Sequence, residues 1–534
     1  MTTRRRFLQA GAASAGGLVI PWKWSWANAQ TCPPVPPPLL DPTTIARFVD
    51  PLPIPAVLKP KGNSVNAASY QATMTEFQQQ LLPAGFPATT VWGYEGCFPG
   101  PTIEARRDKP VAVKWINELP QQHLFPIDTT LHGSEPWQPQ VRTVVHLHGA
   151  HTKPQFDGYP EDWYTSNQRK NFAVFNYKND QEPASLWYHD HAVGNTRLNV
   201  YAGLAGLYTI RDDVEDALNL PSGAYEVPLL IQDRIFTGEG DLFYPYVSDV
   251  ETAPCPSVIP VFVGDTILVN GKSWPYLEVE PRKYRFRVVN GSNSRPYRLR
   301  LVPDAAPDTS LPFHQIGTDG GLLDKPVPVG KLVDGEPAGP QVTVAPAERA
   351  DIVVDFSSFT PGDVITMRNL GIEDFPSTET VTFLMQFRVV ESSGPDTSVL
   401  PAALRPVPRL DPADAVKERN ITLDVVQDDY LRPKFLLGNA RWMDPITEDP
   451  RLNTTEIWNF INTTPNGHPM HVHLVTFEVL SRRSFDVEHF NNTGEIIFTG
   501  PERLPPNENG RRDMVRVPPG TVVKIIAHFD IPGR

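Results

Sequence analysis

The chain has 534 residues, with 48 Lys and Arg against 61 Asp and Glu, for a formal charge of −13. With 40% hydrophobic and 10% aromatic residues it can build several cores, and 58 Pro with 36 Gly suit short strands and turns, so collagen, long coiled coils and wholesale disorder are excluded. The acidic balance disfavours nonspecific nucleic-acid binding, which needs clustered Lys and Arg, and three cysteines are too few for a disulfide scaffold or a CxxC metal site.

Residues 1–29 read as a signal peptide. Thr3-Arg4-Arg5-Arg6-Phe7-Leu8-Gln9 resembles a twin-arginine export motif, a Gly/Ala-rich apolar run covers 10–20, and Ala27-Asn28-Ala29 is a small-x-small cleavage site. The run is too short for a stable membrane anchor. The expectation is a soluble monomer, exported by the twin-arginine translocase and periplasmic or secreted. Residues 30–37 form a proline-rich arm within a Pro-dense stretch to residue 60, extended and without helix.

Strands follow. Residues 111–117, 284–290 and 456–462 each alternate and each end in Asn at a turn (Asn117, Asn290, Asn462). They recur at about 170 residues, which predicts three similar β domains. We place these at 38–212, 213–391 and 419–534, with a Pro/Ser/Asp-rich linker at 392–418. Further strands are predicted at 351–356, 382–390 and 521–528. The fold class is all-β, built of sandwiches.

The chemistry lies in the histidines. Seven of thirteen fall in three clusters: His146 and His148; His189 and His191; His468, His471 and His473. Each cluster holds a His-x-His pair. On a strand, i and i+2 share a face about 6.6–7 Å apart, a spacing suited to two neighbouring metals rather than chelation of one. Imidazole suits copper, zinc, iron and nickel, but a zinc site normally takes four ligands.

Nearly all the chain after residue 30 resembles the multicopper oxidases, close to the bacterial spore-coat laccase and bilirubin oxidase group. The resemblance rests on Val144-Val-His-Leu-His-Gly149, Leu186-Trp-Tyr-His-Asp-His191, Thr196-Arg-Leu-Asn-Val-Tyr-Ala-Gly203, Thr266-Ile-Leu-Val-Asn-Gly-Lys272 and His468-Pro-Met-His-Val-His-Leu474. It implies three cupredoxin-like Greek-key sandwiches and four coppers. It implies oxidation of phenols, aromatic amines, tetrapyrroles or metal ions coupled to reduction of dioxygen to water. By motif, His468 resembles a type 1 copper ligand, and His146 and His471 the type 2 ligands. His148, His189, His191 and His473 resemble ligands of the type 3 pair. Asp157 matches an acid near the family's oxygen or water channel. His123, His132, His151, His314, His489 and His528 match no ligand motif. The seven Met are dispersed, unlike the Met-rich insert of Cu(I) oxidases.

The family's His-Cys-His motif, with its type 1 thiolate, has no counterpart before Gly533-Arg534, and Cys32, Cys97 and Cys255 lie outside any such motif. The expectation is a C-terminally truncated, inactive fragment whose third sandwich exposes a sheet edge beside 522–528. The alternatives are a copper-free cupredoxin-like envelope scaffold and, less favoured, a copper nitrite reductase.

Overall fold

The computed structural model describes residues 36–63, 68–333 and 336–533. The signal-peptide assignment, most of the proline arm and Cys32 lie outside the described residues. The larger sheets follow one another along the chain. A five-stranded and a four-stranded sheet use strands between Gly62 and Arg211. A seven-stranded and a five-stranded sheet use strands between Glu226 and Val389. A six-stranded and a two-stranded sheet use strands between Ala415 and Phe529.

The three Asn-terminated segments occupy equivalent places. Val111–Asn117, Lys283–Asn290 and Thr454–Asn462 each pair in parallel with an upstream strand, Ala68–Gln79, Glu226–Arg234 and Ala415–Gln427 respectively. Each pairs antiparallel on its other side, with Phe172–Tyr177, Arg349–Asp355 and Thr521–Phe529. The terminal asparagines explain the repeat. Asn117, Asn290 and Asn462 are fully buried. Each side-chain oxygen accepts from the N–H two residues on, at Leu119, Ser292 and Thr464. Each amide donates to carbonyls across the sandwich, at Tyr164, Val344 and Val517. Asn closes a turn locally and satisfies buried acceptors at once.

Three local expectations are corrected. Thr521–Phe529 is not a sheet edge, because Thr454–Asn462 and Phe477–Ser484 pair with it on either side. The last residues of the predicted linker belong to the strand Ala415–Gln427. The proline stretch carries one turn of 3-10 helix, Pro42–Thr44, where Asp41 accepts from the Thr43 N–H and proline supplies the first helical φ. That stretch bridges to both neighbours, with Leu39 opposite Thr237, Pro51 opposite Tyr276 and Val57 opposite Thr102.

A buried ionic cluster joins the first two pairs of sheets. Arg285 and Arg287 on Lys283–Asn290 meet Glu215, Glu226 and Asp351, and Arg211 completes it through Glu226. Burial alone would raise the Glu226 carboxyl, but Arg287, Arg285 and Arg211 hold it at about 2. Its folded value lies below the ordinary 4.5. Its contribution is therefore fully present above pH 4.5 and lost as pH falls towards 2. At 1.36 kcal/mol per unit this amounts to roughly 3 kcal/mol. Glu226→Gln is expected to be less stable than the parent by that order at pH 7, with the gap closing near pH 2. Urea midpoints of both proteins across this range check it.

Candidate metal centre

The strand Val145–His148 is wholly buried and lies antiparallel to Ser185–Asp190, with His146 opposite His189. Residue alternation puts His146 and His148 on one face. His191 follows its strand and is held by its N–H to the Val144 carbonyl, 2.8 Å away. His471 ends the strand His468–His471, paired with Met514, and His473 lies two residues beyond. Thus only the first His-x-His pair lies wholly on a strand.

These six imidazoles form one pocket. The His148 and His471 rings stack at 3.8 Å between centroids. His146 stands 4.3 Å from His473, 5.0 Å from His191 and 5.5 Å from His189. His471 and His473 are 4.5 Å apart, and His148 and His189 are 5.6 Å apart.

Hydrogen bonds fix the tautomers. The Nδ1–H of His146, His189 and His471 donates to the carbonyls of Asp157, Asp190 and Asp513, at 2.5, 2.7 and 2.8 Å. His473 Nδ1 lies 2.7 Å from Asp157 Oδ2. His148 uses its other nitrogen, Nε2, towards Asp513 Oδ1 at 3.2 Å. In a neutral imidazole the second nitrogen then carries a lone pair. Two such pairs face each other. His146 Nε2 is 3.4 Å from His471 Nε2, and His148 Nδ1 is 3.4 Å from His189 Nε2. With both rings of a pair neutral, neither facing nitrogen has a proton to donate, and a cation between them would satisfy both lone pairs. Burial, with neighbouring imidazoles adding to it, keeps His148 and His471 neutral and pushes His189 down to about 3, and Arg349 adds to the effect at His148 and His189. His148, His189 and His471 therefore offer unprotonated donors, as metal ligation requires. The donor set fits copper.

Asp157 caps the 3-10 turn Pro154–Phe156. Its carbonyl serves His146 and its carboxylate serves His473, so one turn residue orients an imidazole from each end of the chain. Burial would raise this carboxyl, but His146 and His473 hold it well below the usual range. Gly158, at φ +82°, lets the turn lie against Val145, where a Cβ would meet the Val145 carbonyl.

His468 stands apart. It bonds Thr464 Oγ1 at 2.6 Å, meets Phe435 edge-on at 5.4 Å and lines a separate cavity of about 160 Å³. His123, outside every motif, is a buried structural residue bonded to Asn199. Sequence reasoning missed Asp513. It follows Arg511 and Arg512, which reads as a solvated charge run, yet it is 1% exposed between His148 and His471.

The multicopper oxidase family models match residues 77–141, 138–215 and 415–534. A laccase of Bacillus subtilis (strain 168) is 46% identical over 497 residues, covering 91% of this chain and 94% of the relative. The chain belongs to the multicopper oxidase family. A bilirubin oxidase of Albifimbria verrucaria is 33% identical, covering 90% of this chain and 76% of that protein. A laccase structure from Pediococcus acidilactici superposes with a TM-score of 0.70 at 27% identity, covering 92% of this chain and 90% of that one. This multicopper oxidase is thus a copper-dependent oxidoreductase with dioxygen as acceptor, on a cupredoxin-like all-β fold.

Proposed function

We propose that this is a laccase or bilirubin oxidase type enzyme whose histidine pocket joins the first and last of three sandwiches, at 38–212, 213–391 and 419–534. His146 and His471 would hold the type 2 copper, and His148, His189, His191 and His473 the type 3 pair. The facing ring nitrogens of His146 with His471 and of His148 with His189 carry this reading. When bound, copper supplies one-electron redox chemistry, which zinc lacks. The chain's own groups aim the imidazoles inward, and Asp157 keeps an anionic carboxylate beside His473. His468 would serve the type 1 site. Phenols, aromatic amines, tetrapyrroles or reducing metal ions are the candidate donors, taken up at the cavity that His468 lines with Phe375, Phe435 and Asp374. Export by the twin-arginine route fits the leader. Among the described residues no helix is long and apolar enough to cross a membrane.

Neither described cysteine suits a copper thiolate. Cys255 is disulfide-bonded. Burial, reinforced by Glu95, raises the Cys97 thiol, the opposite of what a thiolate ligand needs. The 534-residue chain loaded with copper is therefore expected to retain the metal and show nitrogen-ligated Cu(II) by electron paramagnetic resonance, without intense blue absorption. Metal analysis and the two spectra check this. A chain that stays metal-free would favour the scaffold alternative.

A further inference from the structure

We propose that the buried Asp513–Arg349 pair is the positioning unit that locks the orientation of His148 and His471, so that the two ends of the chain present their imidazoles in register. The inference rests on the copper reading above. Asp513 reaches both rings. Its Oδ1 lies 3.2 Å from His148 Nε2, and its main-chain carbonyl accepts from His471 Nδ1 at 2.8 Å. The same carbonyl accepts the Val472 N–H at 3.1 Å. One residue therefore sets the ring plane of His471, the backbone after it, and the tautomer of His148. An ionised carboxylate only accepts, so it keeps the His148 proton on Nε2 and leaves Nδ1 facing His189.

Arg349 makes the carboxylate dependable. Its two terminal nitrogens bind the two Asp513 oxygens in a fork, with Nη1 at 2.7 Å from Oδ1. Its Nε donates to the Ser185 carbonyl at 2.9 Å, the first residue of the strand that carries His189. Its main-chain N–H donates to Asp319 Oδ1 at 2.6 Å. Arg349 thus ties the middle sheets to the other two ends of the site. Gly149, which follows His148 at φ +87°, leaves room for this pair. A Cβ there would collide with Arg349 Nη2 and Asp513 Oδ2. The Gly of the His-Leu-His-Gly motif thereby has a physical reason. Asp513, His148 and His471 also lie close enough together to hold an ion. Both carboxylate oxygens are already taken by the guanidinium, which assigns Asp513 to orienting imidazoles rather than to binding metal.

The test compares Asp513→Asn, Asp513→Glu and Asp319→Asn in the copper-loaded full chain. Copper retained against a competing chelator and the Cu(II) resonance spectrum are read for each. Asp513→Asn cannot both accept from His148 and meet the Arg349 fork, and a loss of about 10–100-fold in copper affinity with an altered spectrum is expected. Asp513→Glu keeps an anion for Arg349 but displaces it from His148, and the same loss is expected should the amide variant fail to fold. Asp319→Asn removes an acid beside Arg349 that touches no ligand histidine, and parental retention and spectrum are expected. Parental copper behaviour in both Asp513 variants would overturn the proposal. Equal loss in Asp319→Asn would overturn it too, by showing that buried charge rather than imidazole orientation matters. A parent chain that takes up no copper would instead defeat the reading of the pocket itself.

Discussion

Replacing His146 with alanine is expected to strip copper from the pocket. His146 stands nearest the middle of the cluster, with the rings of His148, His189, His191, His471 and His473 all within 5.7 Å of its own. Its Nε2 faces His471 Nε2 across 3.4 Å. Removing it takes away one donor and leaves His471 without the counterpart that shares a cation. Loss of an orienting partner alone costs about 10–100-fold in metal affinity, so loss of a direct donor should exceed that. His468→Ala offers the contrast. His468 lies in its own cavity against Phe435 and Thr464, so copper at the six-histidine pocket should survive there. Chelator titrations of the two variants distinguish them. Full copper retention by His146→Ala would contradict the assignment of that imidazole as a donor.

The histidine pocket was legible because two simple rules apply to it. Strand alternation places His146 and His148 on one face, and several His-x-His pairs together supply the imidazole donors that metals such as copper take. The rule weakened at His191 and His473, which lie past their strands. There a loop anchor does the placing for one, the His191 N–H to the Val144 carbonyl, and the Asp157 carboxylate does it for the other. The three-fold repeat was legible through Asn117, Asn290 and Asn462, since one side chain can close a turn and satisfy carbonyls across the sandwich only at such a corner. The pairing of Thr521–Phe529 was not, because hydrophobic alternation tells which face is buried and says nothing about how many neighbours a strand has. Asp513 was hidden for a different reason. A carboxylate next to two arginines looks solvated in sequence, and only the fold brings Arg349 and two imidazoles to it.

The same burial that makes Asp513 useful makes Arg285 costly to lose. Its guanidinium donates through Nε to both oxygens of Asp351, at 2.9 and 3.1 Å, and through Nη1 to Glu215 Oε1 at 2.6 Å. Arg287 shares that Glu215 oxygen at 2.7 Å and also donates to Ser185 Oγ at 3.0 Å. Arg285→Met keeps the volume but leaves two carboxylates short of a cation in a site 3–6% exposed. Breaking one member of such a buried set costs about 3–5 kcal/mol, seen as a lower urea midpoint at unchanged slope. Removing the acids with it, by pairing Arg285→Met with Glu215→Leu and Asp351→Leu, should recover much of that loss, because the penalty comes from uncompensated charge rather than from missing attraction. Copper retention per folded molecule should stay at the parental level in Arg285→Met, since Arg285 contacts no histidine of the pocket. Ser185 begins the strand of His189, so a fall in copper retention under conditions where the variant is folded would mean that the ionic cluster sets the position of that strand as well as its stability.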